Sequence, residues 1–569
     1  MRQKQVPLSS PYPDGATEFL LADAAAMNFN RPPGESNQRS AGETGASTGA
    51  TRRDHAGWHA FLVAAGILIS RLVGLVRQRI FGHYFGLSDA ADAFAAAFRV
   101  PNFLQNLFGE GVLSASFIPV YARLLAEGDE EESGRVAGAV GAVLALVASL
   151  LVLAGVLAAP WLIWAIAPGF HGEKRDLTVQ LVRILFPGAG LLVFSAWCLG
   201  ILNSHRRFFL SYTSPVIWNA AMIGTLVAFG GRELSTLAVD LAWGSVIGSA
   251  LQFGVQLPVV LRLTRKLKLR LDNRASHVRE VLRNFVPVFI SRGAVQISGY
   301  VDQVIASLVG AGAVTALTYA QSITTLPVSL FGMAISVAEL PAMSSALGDP
   351  AQVAARLQAR LDSGLRRIAF FVVPSAVAFL AFGDVITAAL YQTGKFTHND
   401  SVYVWAILAG SSVGLLASTL GRLYSSTYYA LRDTRTPLRF ALVRVSLTTA
   451  LGYLCAILLP RWIGIDARWG MAGLTASAGV AGWVEFALLR RTLNRRIGRT
   501  GLTASLSARL WISAALAASA GWAIKFVLGH HGPVLSAVVV LGAYGVLYFA
   551  VTYLLRVEEC QLTLKRFIR

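Results

Sequence analysis

VLSAVVVLGAYGVLYFAVTYLL, residues 534–555, runs for 22 positions without an Asp, Glu, Lys or Arg. An α-helix rises about 1.5 Å per residue, so this run is long enough to cross the roughly 30 Å hydrocarbon layer of a bilayer. A similar run occupies 140–160, and a shorter one 220–230. Working outward from them, apolar segments fall at 58–85, 90–113, 134–159, 179–202, 209–229, 237–260, 285–309, 314–340, 368–391, 403–428, 438–459, 470–489, 506–527 and 534–555. The bulk composition agrees: 54% of the 569 residues are hydrophobic and only 14% charged, with mean hydropathy +0.56. A soluble domain is about a quarter charged, and this chain lacks the polar groups to cover a water-facing surface. The reading is an all-α integral membrane protein with about 14 transmembrane helices.

The formal charge is +19, and its placement says what it is for. Basic residues gather in every second loop: Arg206 and Arg207, the stretch 262–283, Arg356 to Arg367, Arg432 to Arg439, and 490–499. The alternate loops carry few, and the Gly310–Gly312 turn carries none. This is the positive-inside pattern, which places both termini and the basic loops in the cytoplasm of a bacterium, with the helices in its cytoplasmic (inner) membrane. Anionic membrane lipids, and no nucleic acid, are the expected partners of those loops. Cys198, Cys455 and Cys560 are too far apart to suggest a disulfide framework or a metal site, and no metal is expected.

Residues 1–55 are rich in Gly, Ser, Thr and Pro and read as a disordered cytoplasmic tail, with Met27 an alternative start. Beyond them the chain repeats. Ser70-Arg71 opens a segment that reaches Leu107-Phe108-Gly109 and Pro119; Ser291-Arg292 opens one that reaches Leu330-Phe331-Gly332 and Pro341. Six segments separate the copies, and an even number keeps their orientation, so the halves are expected to be related by a pseudo-two-fold axis along the membrane normal. The predicted division is an N-lobe at 56–261 (six helices), a basic linker at 262–283, a C-lobe at 284–491 (six helices), and two C-terminal helices with a cytoplasmic end at 492–569.

Charges interrupt the apolar pattern in a few segments. The first two contain Arg71, Arg77, Arg79, Asp92, Arg99 and Glu110, and the seventh contains Arg292, Gln296, Asp302 and Gln303. A charge at mid-bilayer costs at least about 2.5–3.5 kcal/mol, so such residues face a partner or a water-filled cavity. Arg79 and Arg99 are equally well read as paired near a membrane face. Arg71, Arg77 and Arg292 read as cavity groups, and Arg suits a pyrophosphate because its planar fork donates two parallel hydrogen bonds. Arg444 and Glu485 are further intramembrane ionisable residues, read as a coupled pair or as separate interface residues and not as substrate ligands.

At these residues the chain resembles a known family. SRLVGLVR (70–77), ADAF (91–94), RVPN (99–102), FGEG (108–111), APGF (167–170), GKFT (394–397) and YYALRDTRTP (428–437) are similar, in order, to the signature of the MurJ/MviN lipid II flippases of the MOP exporter superfamily. The resemblance implies a transporter and not an enzyme. Its substrate would be undecaprenyl-pyrophosphate-linked disaccharide-pentapeptide, the peptidoglycan precursor lipid II, moved from the inner to the outer leaflet by alternating access. Cell-wall synthesis machinery is a further candidate partner. It also implies a central cavity lined by the first, second, seventh and eighth helices, with a polyprenyl-tail groove along the last two. The substrate-binding residues expected on this basis are Arg71, Arg77, Asp92, Arg292, Gln296, Asn102 and Glu110.

The chain departs from the family at Gln78, at Gln105-Asn106 and at Gln321-Ser322, where charged residues are usual, and Arg292 is expected to replace part of the lost charge. A sodium (Na+) site described in some members puts its aspartate at Asp302. Thr448 and Gly452 stand where a carboxamide and a carboxylate would complete it, so the candidate ion site is Asp302 with Thr448, and membrane potential is an equal candidate drive. No other cofactor is expected. Alternatives are a flippase for another polyprenyl-linked glycan, a MOP-type drug antiporter, and, further off, an integral-membrane glycosyltransferase or a lipid-binding scaffold.

Overall fold

The structure, a computed structural model, describes residues 66, 68–108, 113, 116–264, 276–344, 349–529 and 532–567. The N-terminal tail, Glu110 and most of the basic linker lie outside the described residues. Among the described residues every regular element is helical. The helices are α1 (68–85), α2 (Asp89–Phe108), α3 (Ile118–Ala126), α4 (Glu130–Ile166), α5 (Gly172–Ser204), α6 (Phe208–Phe229), α7 (Leu234–Leu263) and α8 (Ser276–Val309). They continue with α9 (Ala313–Pro327), α10 (Ala334–Ser344), α11 (Pro350–Tyr391), α12 (His398–Ala430), α13 (Arg435–Tyr453), α14 (Leu459–Ile463), α15 (Gly470–Ile497), α16 (Ala504–Leu528), α17 (Pro533–Leu554) and α18 (Glu558–Phe567). Two π-turns, Val328–Met333 and Leu454–Leu458, join α9 to α10 and α13 to α14, so each of those pairs forms one rod.

Ten of these rods are long and apolar enough to cross a membrane. Adding α1, α2, α6 and α8, which fall below that apolar threshold, gives fourteen among the described residues. Three of those four, α1, α2 and α8, carry the ionisable residues singled out above; their lower apolarity has a local cause.

The helices run past the apolar segments that reveal them. α11 has 42 residues, about 63 Å of helix, twice what the hydrocarbon layer needs. Its first turns carry Arg356, Arg360, Asp362, Arg366 and Arg367 and extend the rod into water, where hydropathy gives no signal. Helix starts follow local chemistry. Asp129 caps α4 by accepting from the Glu132 amide, with Glu130 to Glu132 in the first turn. Thr397 and Asp400 make a reciprocal capping box on α12. In each case an anionic or hydroxyl oxygen satisfies amides that the helix leaves unpaired.

The repeat in the sequence appears as a repeat in packing. In the first half, α2 packs on α5, α4 on α5, α5 on α7 and α6 on α7. In the second, α9 packs on α12, α11 on α12, α12 on α15 and α13 on α15. These are the same four pairings, taken in the same order, in two bundles. The lobes touch through α2 against α8 and α9, and through α3 and α4 against α8. The last two rods, α16 and α17, pack on each other and on α11. Lys525 of α16 reaches Asp384 of α11 at 2.5 Å, and the Tyr544 and Tyr548 hydroxyls donate to the Pro374 and Phe370 carbonyls.

Close helix contact in lipid depends on small residues, since apolar burial supplies little drive there. At the α12–α15 crossing a Cβ on Gly414 would lie 2.4 Å from the Gly479 Cα. Gly414→Leu is therefore expected to force these two helices apart at a cost of about 1–3 kcal/mol. A lowered thermal unfolding midpoint and a smaller monodisperse peak in detergent would register it, while Gly421→Leu, with open space around its Cβ position, should leave both unchanged.

Candidate functional site

Alternate loops lie at opposite ends of the bundle. One end carries the basic loops. The other carries Gly86, Gly312 and Gly394, all at positive φ, and is called here the glycine end. The lobes are sealed together at the glycine end by a set of polar contacts between them.

Asp92 is the centre of that seal. It is fully buried, and its carboxylate accepts four hydrogen bonds. The Gly312 amide donates at 2.7 Å, the Thr315 amide and hydroxyl at 2.8 Å each, and the Lys174 ammonium at 2.8 Å. Gly312 and Thr315 belong to the first turn of α9, whose own N-cap position is Gly312 with no capping side chain. The acid on α2 is thus the N-cap of a helix in the other lobe, set against the positive end of its dipole. Lys174 completes the arrangement by also binding Asp89 at 2.7 Å. A Cβ at residue 312 would strike Leu87 at 2.9 Å, so the turn needs glycine for space as well as for its φ of 78°.

The opposite helix end is treated with the opposite charge. Arg79 of α1 donates to the Ala389 carbonyl and, at 3.2 Å, to the Leu390 carbonyl, at the C-terminus of α11. A cation there complements the negative end of the dipole and satisfies orphan carbonyls. Between these caps, Gln78 donates to the Ser322 hydroxyl at 3.1 Å and accepts from Tyr391 at 3.2 Å. The Lys395 amide donates to the His83 carbonyl at 2.8 Å. At Gly394 a Cβ would lie 2.4 Å from that carbonyl.

Further in from the seal, Arg77 lies on α1 with its guanidinium 4.9 Å from the Trp218 ring centroid and an Nη1 contact of 3.6 Å to the Met222 sulfur. Its Nε is buried without a hydrogen-bond partner. No carboxylate among the described residues pairs with it. Arg71 is exposed, six residues or about 9 Å back along α1, and likewise has no ion pair among the described residues. These two cations of α1 are uncompensated among the described residues, and Arg77 also lies in the field of Tyr319 of the other lobe.

Arg99 is held instead. Its Nη2 donates to the Gly299 carbonyl of α8 at 2.7 Å, its guanidinium lies 5.5 Å from the Tyr300 ring centroid, and the Tyr300 hydroxyl returns a bond to the Arg99 carbonyl. Near it, one carboxylate oxygen of Asp302 is buried with no hydrogen-bond partner. Glu485 and Arg444 do form a pair, at 3.4 Å. Arg123 to Glu280 at 2.9 Å and His277 to Glu132 at 3.2 Å tie the lobes at the basic end.

The expected site residues therefore divide. Arg77 stands at the lobe boundary and Arg71 is exposed further along α1, both with no acidic partner among the described residues. Asp92, expected to face substrate, is consumed by the seal and has no free surface, because four donors from two segments, the start of α9 and Lys174 of α5, close over it. Asn102, also expected to face substrate, lines a small cleft inside the N-lobe with Gln105, Gly188 and Ser249, because its turn of α2 faces α5 and α7. Arg292 and Gln296 lie on α8, but their side chains fall outside the described residues, as does Glu110. Asp302 and Thr448 lie on α8 and α13, and the half-buried Thr448 makes no side-chain hydrogen bond among the described residues.

Sequence reasoning passed over Lys174 and Arg422. Lys174 had a signal, being a lysine between two apolar segments at the base-poor end; the structure puts it in the first turn of α5. Arg422, exposed on α12 in the electrostatic reach of Glu485 and Arg444, is a charge inside an apolar segment, as Arg71 is.

Two six-helix bundles, sealed together at one end, define a two-lobed multi-pass membrane protein. The family model "Lipid II flippase MurJ" matches residues 81–542, and the chain belongs to that family. It is 32% identical over 446 residues to the lipid II flippase MurJ of Burkholderia cenocepacia, covering 77% of this chain and 84% of that one. To the probable lipid II flippase MurJ of Rhizobium tropici it is 33% identical over 441 residues, covering 76% and 80%. Among solved structures, a lipid II flippase MurJ in an inward closed conformation superposes with TM-score 0.70 at 22% identity, over 90% of this chain and all of that one. An inward-facing MATE multidrug transporter of the MOP superfamily gives 0.61 at 17% identity, over 77% and 98%. Both likenesses are of fold.

Removing the Asp92 carboxylate leaves two helix amides unpaired and Lys174 with Asp89 as its one remaining acidic partner among the described residues. Asp92→Ala is expected to cost about 1–3 kcal/mol for each orphaned amide and Lys174→Met less, since the amide donors keep their acceptor. Thermal unfolding followed by tryptophan fluorescence should rank wild type, Lys174→Met and Asp92→Ala in that order.

Proposed function

We propose that this protein carries lipid II, the undecaprenyl-pyrophosphate-linked peptidoglycan precursor, from the inner to the outer leaflet of the bacterial cytoplasmic membrane. Membership of the MurJ family supports the substrate. The observation in the structure that carries the reading is Arg77: a guanidinium held against Trp218, with a buried Nε and no carboxylate among the described residues to neutralise it. A cation kept in that state is matched to an anionic guest.

In this reading the basic loops and both termini are cytoplasmic and the glycine end is periplasmic, so the seal is the outer gate in its closed state. The headgroup enters from the cytoplasmic side. Arg71, Arg77 and Arg292 take its pyrophosphate, and the polyprenyl tail stays in lipid along 506–555. Release outward requires the seal to part. Every group it holds is one that water can serve: the Asp92 carboxylate, the Lys174 ammonium, the first-turn amides of α9 and the last carbonyls of α11. Parting exchanges protein partners for water, which keeps the two states close enough in free energy to interconvert. No bond is made or broken, and no cofactor is assigned.

Depleting the protein should lower the fraction of lipid II exposed on the outer leaflet, measured by accessibility to an external lipid II-cleaving toxin. Unchanged exposure would refute the reading. In a complementation assay at matched expression, Arg77→Ala should lose at least about tenfold in exposure, the worth of one charge-assisted hydrogen bond, and Arg77→Lys less. Arg292→Ala should also fall; full complementation would remove Arg292 from the clamp.

A further inference from the structure

The resemblance to the MurJ/MviN family places a sodium-site aspartate at Asp302, and the residues present do not fit that ion. A hard cation needs several oxygen ligands. Here Asp302 supplies a carboxylate, and Thr448 is a hydroxyl on α13. At residue 452, where a further acid would complete the set, a Cβ would meet the Leu474 and Ile305 methyl groups at 2.8 and 3.2 Å. No group of three or more acidic, His or Cys side chains that could hold a metal occurs among the described residues. The positive charge is already resident. Asp302 lies in the field of Arg99, the stronger neighbour, and of Arg444. Arg444 pairs with Glu485, and Arg422 is near both. Two acids and three guanidinium groups sum to +1 before any ion is added.

These positive groups come from different lobes. Arg444 and Arg422 share the C-lobe with Asp302 and move with it. Arg99 belongs to α2 of the N-lobe and reaches α8 only because α2 docks there, through Gly299 and Tyr300. We infer that Arg99 is a tethered counter-cation for Asp302, delivered when the lobes dock and withdrawn when they part, so that the docking contact does the work a dissociable ion would otherwise do. Arg99 is on this account a positioning residue that stabilises the docked state, and sodium has no place in the cycle. The inference rests on the alternating-access reading above but not on which lipid is moved.

The test uses the full-length protein. Thr325 is exposed one turn beyond Ser322 on α9, behind the seal, and Cys455 is replaced by Ala so that Thr325→Cys is the main reactive thiol. In intact cells, labelling by a membrane-impermeant maleimide reports opening of the seal from outside. Arg99→Gln and Asp302→Asn are each expected to raise the labelling rate at least about fivefold, equivalent to about 1 kcal/mol of lost docking. Arg99→Lys should stay within about twofold of wild type. The double variant should go no further than either single one, since both remove the same interaction. Additive effects, or no change in Arg99→Gln, would overturn the inference.

A second readout is independent of transport. The purified protein should unfold at the same temperature in sodium, potassium and choline chloride; a saturable, sodium-specific rise would overturn it. Labelling and unfolding involve no lipid II. Their failure bears on Arg99 alone, whereas unchanged lipid II exposure on depletion bears on the substrate.

Discussion

A carboxylate taken out of water needs its full complement of donors, and at Asp92 those donors come from two separate parts of the chain, the start of α9 and Lys174 of α5. Two are helix amides, one a hydroxyl and one an ammonium. The amides belong to a helix of the other lobe, so the cost of burying the acid is offset only when the lobes are together. The position of α9 against α2, the closure of the glycine end and the existence of an enclosed boundary around Arg77 all depend on it. Arg79 on the last carbonyls of α11 is the matching contact of opposite sign. The polar part of the seal is therefore electrostatic and directional. Helix termini suit a gate of this kind, because their unpaired amides and carbonyls accept water as readily as a side chain.

The glycines at the seal have a separate role. Gly394 and Gly86 allow backbone to approach backbone where a Cβ would sit 2.4 and 2.7 Å from a carbonyl of the facing segment. Gly169 does the same against Ser307. With the chains this close, small shifts in either lobe are felt at once by the hydrogen bonds between them. The two lobes themselves are stiffened by repeated helix pairings, and the π-turns in the α9–α10 and α13–α14 rods are local departures from regular helix of the kind often found at functional places.

Charge at the lobe boundary is divided between groups that hold the structure and groups left over. Asp92, Arg79 and Arg99 are held by backbone and side-chain partners; Arg444 is neutralised by Glu485. Arg77 is left with an aromatic face and a thioether. A charge of one sign without a counterpart among the described residues is what an anionic headgroup would recognise.

The sequence by itself determined the number and order of the crossing helices, the two-fold repeat and the presence of charge in the first, second and seventh segments. Those are one-dimensional properties: apolar length against bilayer thickness, the spacing of a repeated motif, and an ionisable residue inside an apolar run. It did not show that α11 continues far beyond its apolar segment, because a helix in water has no hydropathy signal. Only the tertiary structure decided what each charge does. Asp92 and Arg77 look alike as charges in a membrane segment; one is sealed by residues 220 and 223 positions away and the other is left unpaired. Arg99 serves α8, Asn102 turns into its own lobe, and Lys174, in the first turn of α5 and outside the apolar segments, completes the seal. Partnership between charges depends on which helix ends the docked lobes bring within about 3 Å, and no local pattern in the chain encodes that distance.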